Sequence, residues 1–186
     1  TTLRGKVSVE RLRKGDMLLT RDRGFQPLRK REVFRFDPAD PLGRAFNQPI
    51  LIPANAMGSG QPERDLVLAP RHRILSRDPI ILYNECEPEA LIEARALADY
   101  SGVSTVTTEP TPLFSLLLDE HEVILAENCW SESLHAPREA AGVPAPVNSA
   151  TGIADFASVT GNAPALAKNT ARICMSEDDL PVLRRA

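Results

Sequence analysis

Apolar and polar positions alternate along the first part of the chain, in short runs that turn residues separate. Lys6 to Thr20 shows this alternation on both sides of Gly15 and Asp16, and Phe25 to Phe36 resumes it. A period of two places successive side chains on opposite faces of a strand, and Gly-Asp favours a tight turn. The pattern predicts a strand, a turn and a second strand, followed by a long, twisted β ribbon.

Further strands are predicted where prolines bound short apolar runs. The chain contains 16 prolines, and Asp37 to Pro49 is a proline-rich loop. Proline cannot donate to a sheet ladder, so its place between apolar runs favours the ends of strands over helix interiors. The predicted strands are Ile50 to Pro53, two short strands on either side of residues 69–72, Pro79 to Tyr83, and Val103 to Thr108.

The segment from Glu89 to Asp99 fits two descriptions. Its apolar residues have the spacing of one or two helical turns. A strand through Leu91 and Ile92 that continues into a short helix fits the same residues equally well. The sequence leaves both open.

A charged break divides the last apolar block, Leu113 to Ala126. Asp119 and Glu120 interrupt two apolar runs, and we interpret the break as a hairpin bend or bulge with His121 at its edge. Asp119 and Glu122 flank His121 and are candidates to orient its imidazole, as carboxylates do in acid/base groupings. The alternative is that these charges only solvate the hairpin and that His121 is an exposed turn residue.

The composition changes after Leu134 and divides the chain into three parts. Residues 1–134 are predicted to form a mainly β domain. Residues 135–152 are rich in alanine, proline and glycine and predict a linker. Residues 153–186 predict a C-terminal extension with one or two short helices, because two of its segments have cap-like starts and helical spacing.

Composition and charge exclude several classes of function. A net charge of -3 over 186 residues does not predict the basic face that nucleic acid requires. No apolar run approaches the roughly 20 residues of a membrane-spanning helix, and the first residues lack the layout of a signal peptide. The three cysteines form no Cys-x-x-Cys pair, so neither a zinc site nor a disulfide framework is predicted. We expect a monomer without a cofactor, and the compartment stays open.

One stretch, Asp65 to Leu75, combines alternation with a tight turn that presents His72. It reads DLVLAPRHRIL, and Pro70 stands within the turn. An imidazole titrates near neutral pH and can therefore carry a proton to or from a reacting group. The alternative is a structural histidine whose ring hydrogen-bonds the backbone of the turn.

Three blocks in this order, GKVSVERLRKGDMLLTRDRGFQPL, PRHRIL and LLLDEHEVILAE, carry a family resemblance. Over Thr1 to Leu134 the chain resembles the Hedgehog/intein (Hint) domain family, in the branch found in alphaproteobacterial proteins. The resemblance implies a horseshoe-like fold of long, twisted strands with a self-processing site. It also implies that the protein is bacterial, and export as part of a larger protein is one interpretation.

The resemblance implies autocatalytic cleavage of a peptide bond, with the N-terminal flanking segment as the substrate in cis. A Cys or Ser attacks the carbonyl of the residue before it and replaces the amide with a thioester or ester. His72 resembles the histidine that protonates the leaving nitrogen, and His121 resembles a histidine that assists later steps. The family's nucleophile precedes the segment that matches Thr1, so the fragment alone is expected to be inactive.

Two departures from the family pattern support an alternative function. Ala69 stands where many relatives have Thr or Ser, which can hydrogen-bond the scissile peptide. Glu132-Ser133 occupies the place of the intein His-Asn pair, so full splicing is not expected. The alternative is a Hint-fold binding or scaffold module that has lost the chemistry.

Overall fold

The computed structural model describes most of the first 134 residues and a short part of the C-terminal region. The described residues are 1–41, 47–77, 88–97, 102–106, 108–134, 172 and 174–175. Within them the protein is mainly β, as predicted. Two short 3-10 helices, Val9–Arg11 and Ala94–Leu97, accompany the strands. In these residues no helix is long and apolar enough to span a membrane.

The strands are numbered in chain order. They are β1 (Met17–Thr20), β2 (Gly24–Pro27), β3 (Lys30–Phe36), β4 (Ile50–Ile52), β5 (Leu66–Leu68), β6 (Arg73–Ser76), β7 (Ala90–Glu93), β8 (Ser104–Thr105), β9 (Thr111–Leu117), β10 (Val123–Ala126), β11 (Cys129–Glu132) and β12 (Cys174–Met175). A seven-stranded sheet has the order β12-β7-β6-β11-β10-β1-β2. The other described strands form a β3–β9 ribbon and a three-stranded sheet, β5-β4-β8.

Most of the ladders join strands that are far apart in sequence. β3 pairs with β9 along its whole length, from Lys30 opposite Leu117 to Phe36 opposite Thr111. In the large sheet, β6 lies between β11 and β7, and Ile74 is the residue opposite both Ser131 and Ile92. The first residues of the paired strands are 17 positions apart for β6 and β7, 56 for β6 and β11, and 81 for β3 and β9.

The first predicted strand is instead a 3-10 turn over Val9–Arg11. The Leu12 N–H donates to the Val9 carbonyl at 3.3 Å. Because side chains three residues apart overlie one another in this helix type, Val9 and Leu12 reach the same core cluster. For residues 89–99, the structure confirms the strand that continues into a short helix, as far as Leu97.

The predicted hairpin within Leu113 to Ala126 is wrong. β9 pairs with β3, whereas β10 pairs with β1 and β11, so the two apolar runs belong to different sheets. The break at Asp119 is the crossing from one sheet to the other. The predicted strand at Pro79 to Tyr83 and the predicted C-terminal helical segments lie outside the described residues, except that Cys174–Met175 is a strand.

Among the described residues, three hydrophobic clusters pack against these sheets. The largest lies around β4, β6 and β7 and includes Ile52, Ile74 and Ile92, each fully buried. A second cluster joins Leu12 and the β1 region to the start of β10. A third, smaller cluster consists of Leu75, Leu91 and Val123, with Trp130 and Cys174 packed against it. The third cluster is on the central part of the large sheet, next to the candidate site.

Candidate functional site

His72 is held at the turn between β5 and β6 by its backbone. Its N–H donates to the Ala69 carbonyl at 3.0 Å, and its own carbonyl accepts from the Ala94 N–H at 2.8 Å. The Arg95 N–H donates to the Pro70 carbonyl at 2.9 Å. The 3-10 helix after β7 therefore fixes both sides of the turn that carries the imidazole.

The surroundings of His72 favour a neutral imidazole. Loss of solvation lowers its pKa below the ordinary value of 6.5, and the charges of Arg73 and His121 act in the same direction. The carboxylate of Glu132 opposes this shift but does not overcome it. At neutral pH one ring nitrogen of His72 is therefore free of a proton, which is the form that can accept one.

Glu132, at the end of β11, is the carboxylate of this site. One of its oxygens accepts from the Arg73 backbone N–H at 3.0 Å, and the other accepts from Arg73 Nη1 at 3.3 Å. His121 Nε2 lies 3.3 Å from Glu132 Oε2. Burial alone would raise the pKa of Glu132, but the hydrogen bond with His121 and the positive charge of Arg73 lower it overall. Glu132 is therefore ionised although it is buried.

His121 lies inside the protein, and not at an exposed hairpin edge. Its side chain is 1 % exposed, and the described contact of its ring is with Glu132. Both histidines that the resemblance singled out are thus linked to one carboxylate, because His121 contacts Glu132 through its ring and Arg73, the residue after His72, binds Glu132 from β6.

Asp119 does not contact His121 and instead binds Arg29. Its two carboxylate oxygens accept from Nε and Nη2 of Arg29, each at 2.7 Å, and the pair is largely exposed. The hydrogen bonds from Arg29 hold the pKa of Asp119 below its usual value. Glu122, the other flanking carboxylate, pairs with Arg23. The carboxylate beside His121 is thus Glu132, which sequence proximity did not indicate.

A second carboxylate completes the group around Arg73. Glu93, at the end of β7, accepts from Arg73 Nη2 at 3.5 Å and from Arg95 Nε at 2.7 Å. Among the buried side-chain nitrogens and oxygens of the described residues, Arg73 Nε has no hydrogen-bond partner. A buried donor without a partner costs free energy, and an incoming oxygen can relieve that cost.

His72 also lines a mainly apolar cleft of about 60 Å³ between the β3–β9 ribbon and β5. The cleft brings an apolar surface directly to the imidazole, and Ala69 contributes only a methyl group to it. The other lining residues are Phe34, Arg35, Phe36, Asn47, Val67, Leu68, Pro70, Leu113, Phe114 and Ser115.

The described cysteines and carboxylates do not form a metal site. No group of three or more His, Cys, Asp or Glu in the described part of the chain has the arrangement to hold a metal ion. Cys129 is buried, and burial raises the pKa of its thiol to about 11, with the charge of Glu127 adding to the effect. A thiol that stays protonated is a poor nucleophile.

Comparison with known proteins assigns the chain to a family. The family model described as "Hint domain" matches residues 1–138. No curated protein and no solved structure matches the chain. The alphaproteobacterial branch stays a prediction. Because the match covers most of the chain and includes His72, His121 and Glu132, the protein belongs to the Hint domain family.

Proposed function

We propose that this Hint domain is a self-processing domain that cleaves the peptide bond before a Cys or Ser in its own N-terminal flanking segment. The observation that carries the proposal is the position of His72, whose turn is held by backbone hydrogen bonds and which lines an apolar cleft, while the next residue, Arg73, binds the carboxylate of the His121–Glu132 pair. The arrangement offers a proton acceptor next to a surface on which a peptide can lie.

The proposed reaction moves one proton and exchanges one bond. The nucleophile's sulfur or oxygen attacks the carbonyl carbon of the preceding residue, and His72 takes the proton from the thiol or hydroxyl. The carbon–nitrogen bond then breaks, and the imidazolium of His72 gives the same proton to the leaving nitrogen. The products are a thioester or ester and a free α-amine, and a second nucleophile opens the thioester or ester.

The anionic Glu132 supports this cycle electrostatically. Its charge opposes the desolvation that lowers the pKa of His72, and it therefore stabilises the imidazolium that forms between the two steps. The partnerless Arg73 Nε is the candidate donor to an oxygen that becomes negative during the attack. His121, bound to the same carboxylate, keeps Glu132 ionised.

A segment joined to Thr1 would enter between two strands of the large sheet. The Thr1 nitrogen lies 2.7 Å from the Leu125 carbonyl on β10, and the Leu19 N–H donates to the Thr1 carbonyl at 3.0 Å. Leu125 is opposite Trp130, and Trp130 precedes Glu132 by two residues on β11. This register supports the approach of the flanking segment toward the strand that bears Glu132.

A binding or scaffold module is the second candidate. Ala69 favours it, because its methyl group lines the cleft beside His72 and offers no hydroxyl to a scissile peptide. The buried contact of His121 with Glu132, with Arg73 Nε available as a donor to an incoming oxygen, favours processing, because such groups of ionisable side chains cluster at functional sites.

The test starts from the codons upstream of Thr1, which show whether a Cys or Ser is available. The polypeptide that includes them is incubated with hydroxylamine or dithiothreitol, and the released N-terminal fragment is measured by mass spectrometry. We expect release in the wild type and a loss of about 100-fold or more in His72→Ala. His135→Ala is the matched control, and release should be unchanged. No release from the wild type, or equal release from His72→Ala, contradicts the proposal.

A further inference from the structure

The edge of the large sheet is completed by residues from outside the family match. β12 lies parallel to β7, with Cys174 opposite Leu91 and Met175 opposite Ile92. The match ends at residue 138, so the segment that covers β7 is an addition to the domain. Met175 packs into the largest core cluster and Cys174 against the third cluster.

Arg172 anchors this segment to two separate parts of the domain. Its Nε donates to Glu89 Oε1 at 2.5 Å, just before β7, and its Nη2 donates to Asp22 Oδ1 at 2.8 Å, in the turn between β1 and β2. Arg21 and Arg77 also donate to Glu89. Burial of Glu89 would raise its pKa, but the three guanidinium groups lower it to about 2. Glu89 is therefore ionised at neutral pH and can bind an arginine.

β7 connects the docked segment to His72. One edge of β7 binds β12, and the other pairs with β6 over four residues, from Arg73 opposite Glu93 to Ser76 opposite Ala90. The next residue after β7, Ala94, donates its N–H to the His72 carbonyl. If β7 becomes less ordered, the hydrogen bond from the Ala94 N–H to the His72 carbonyl therefore transmits the change to the His72 turn.

The docked segment can separate from β7 by local unfolding. β12 is a two-residue edge ladder, and such ladders contribute few hydrogen bonds to the sheet. When it leaves, β7 presents unpaired N–H and carbonyl groups, which is the surface that an added strand recognises. The charged Glu89 selects a strand with an arginine two residues before its first paired residue.

We propose that the edge of β7 and Glu89 form a docking site for an extended segment, which Arg172 to Met175 of the same chain fills, and that docking orders the His72 turn. This inference adds control over the proposed self-processing site. The docking itself is measured without any cleavage, so failure of the docking and failure of the proposed function are separate results.

The first test compares amide hydrogen exchange in the full chain and in Arg172→Gln, with Arg13→Gln as the control at an exposed arginine. We expect exchange in residues 90–97 and in the His72 turn to rise about tenfold or more in Arg172→Gln, because charge-assisted hydrogen bonds hold the segment. Exchange in β3 should not change. Met175→Asp, which removes the apolar contact, is expected to have the same effect. Unchanged exchange in both variants, or an equal rise in every strand, overturns the proposal.

The second test adds a labelled peptide of residues 169–178 in trans. The peptide should bind Arg172→Gln more tightly than the wild type, whose own segment occupies the site, and it should restore the protection of β7. An Arg172→Gln peptide is the matched control and should bind more weakly. Absence of binding to the variant overturns the docking site. A dimeric mass for the wild-type chain overturns the assignment of the occupant to the same chain.

Discussion

His121 and Glu132 form a buried contact, with 3.3 Å between Nε2 of the imidazole and Oε2 of the carboxylate. Glu132 is the last residue of β11 and lies opposite Val123, the first residue of β10, and His121 precedes Val123 by two residues. Arg73 binds the same carboxylate from β6. The charge at the centre of the candidate site thus depends on three strands meeting at one end.

Removal of the Glu132 carboxylate should destabilise the protein. Glu132→Ala leaves the Arg73 backbone N–H without its acceptor and the guanidinium with Glu93 alone, and breaking such a buried pair costs about 3 kcal/mol of unfolding free energy. Glu132→Gln keeps an acceptor and should cost less. Urea unfolding measures both variants. Asp119→Asn, which removes a charge from an exposed ion pair, is the control and should unfold at the same urea concentration as the wild type. An equal loss of unfolding free energy in Asp119→Asn and Glu132→Ala would contradict the buried role of Glu132.

The stability of the protein should fall between neutral and mildly acidic pH. Because the folded protein lowers the pKa of His72 below 6.5, the unfolded chain takes up the proton first as the pH falls. The stability associated with the neutral ring is complete above about pH 6.5 and declines below it. His72→Gln should flatten this part of the curve. Unfolding free energies at pH 7.5 and 5.5 test it, and an unchanged slope in the variant would be evidence against it.

Glu132 should add a separate loss of stability at lower pH. Its pKa is held below the ordinary value of 4.5, so the folded protein keeps the carboxylate ionised where the unfolded chain is already protonated. Stability from this group is present above about pH 4.5 and declines below it. Glu132→Gln should reduce the loss in this window, to which Glu89 also contributes, and leave the one near pH 6.5. A variant that unfolds along the wild-type curve below pH 4.5 would argue otherwise.

Cys129 should resist alkylation in the folded protein. With a pKa of about 11, its thiolate is scarce at pH 8. We expect reaction with iodoacetamide to be about 100-fold slower than in urea, where the thiol returns to an ordinary pKa. Peptide mapping by mass spectrometry measures the modification at this residue. Equal rates with and without urea would show that the thiol is accessible and activated.

Local sequence patterns predicted the parts of the fold that depend on nearby residues. Ile50 to Pro53 is predicted as a strand, and the structure has a strand at Ile50–Ile52. A short apolar run between turn residues is a local signal that does not depend on which strand it pairs with. The turn that presents His72 was visible from Pro70. Val9 is predicted in a strand because Val7 and Val9 alternate with polar residues, whereas in the 3-10 turn Val9 shares a side with Leu12, three residues later.

The carboxylate of the site could not be predicted in this way. Asp119 was chosen because it is two residues from His121, whereas Glu132 is eleven residues away and reaches the imidazole through strand pairing. The pairing of β11 with β6, which brings Glu132 to Arg73, joins residues 59 apart. Residues on a bend are close in sequence, but their side chains can point to different sheets. The pairing of distant strands determines which side chains come into contact.

The position of β12 has a practical consequence for work with this domain. A protein trimmed to the family match, residues 1–138, would lack Arg172, Cys174 and Met175. It would expose the edge of β7 along Leu91 and Ile92, two apolar residues that are now completely covered. An uncovered apolar strand edge promotes intermolecular pairing and aggregation. Solubility of the isolated domain therefore depends on residues that lie more than 30 positions beyond its recognised boundary.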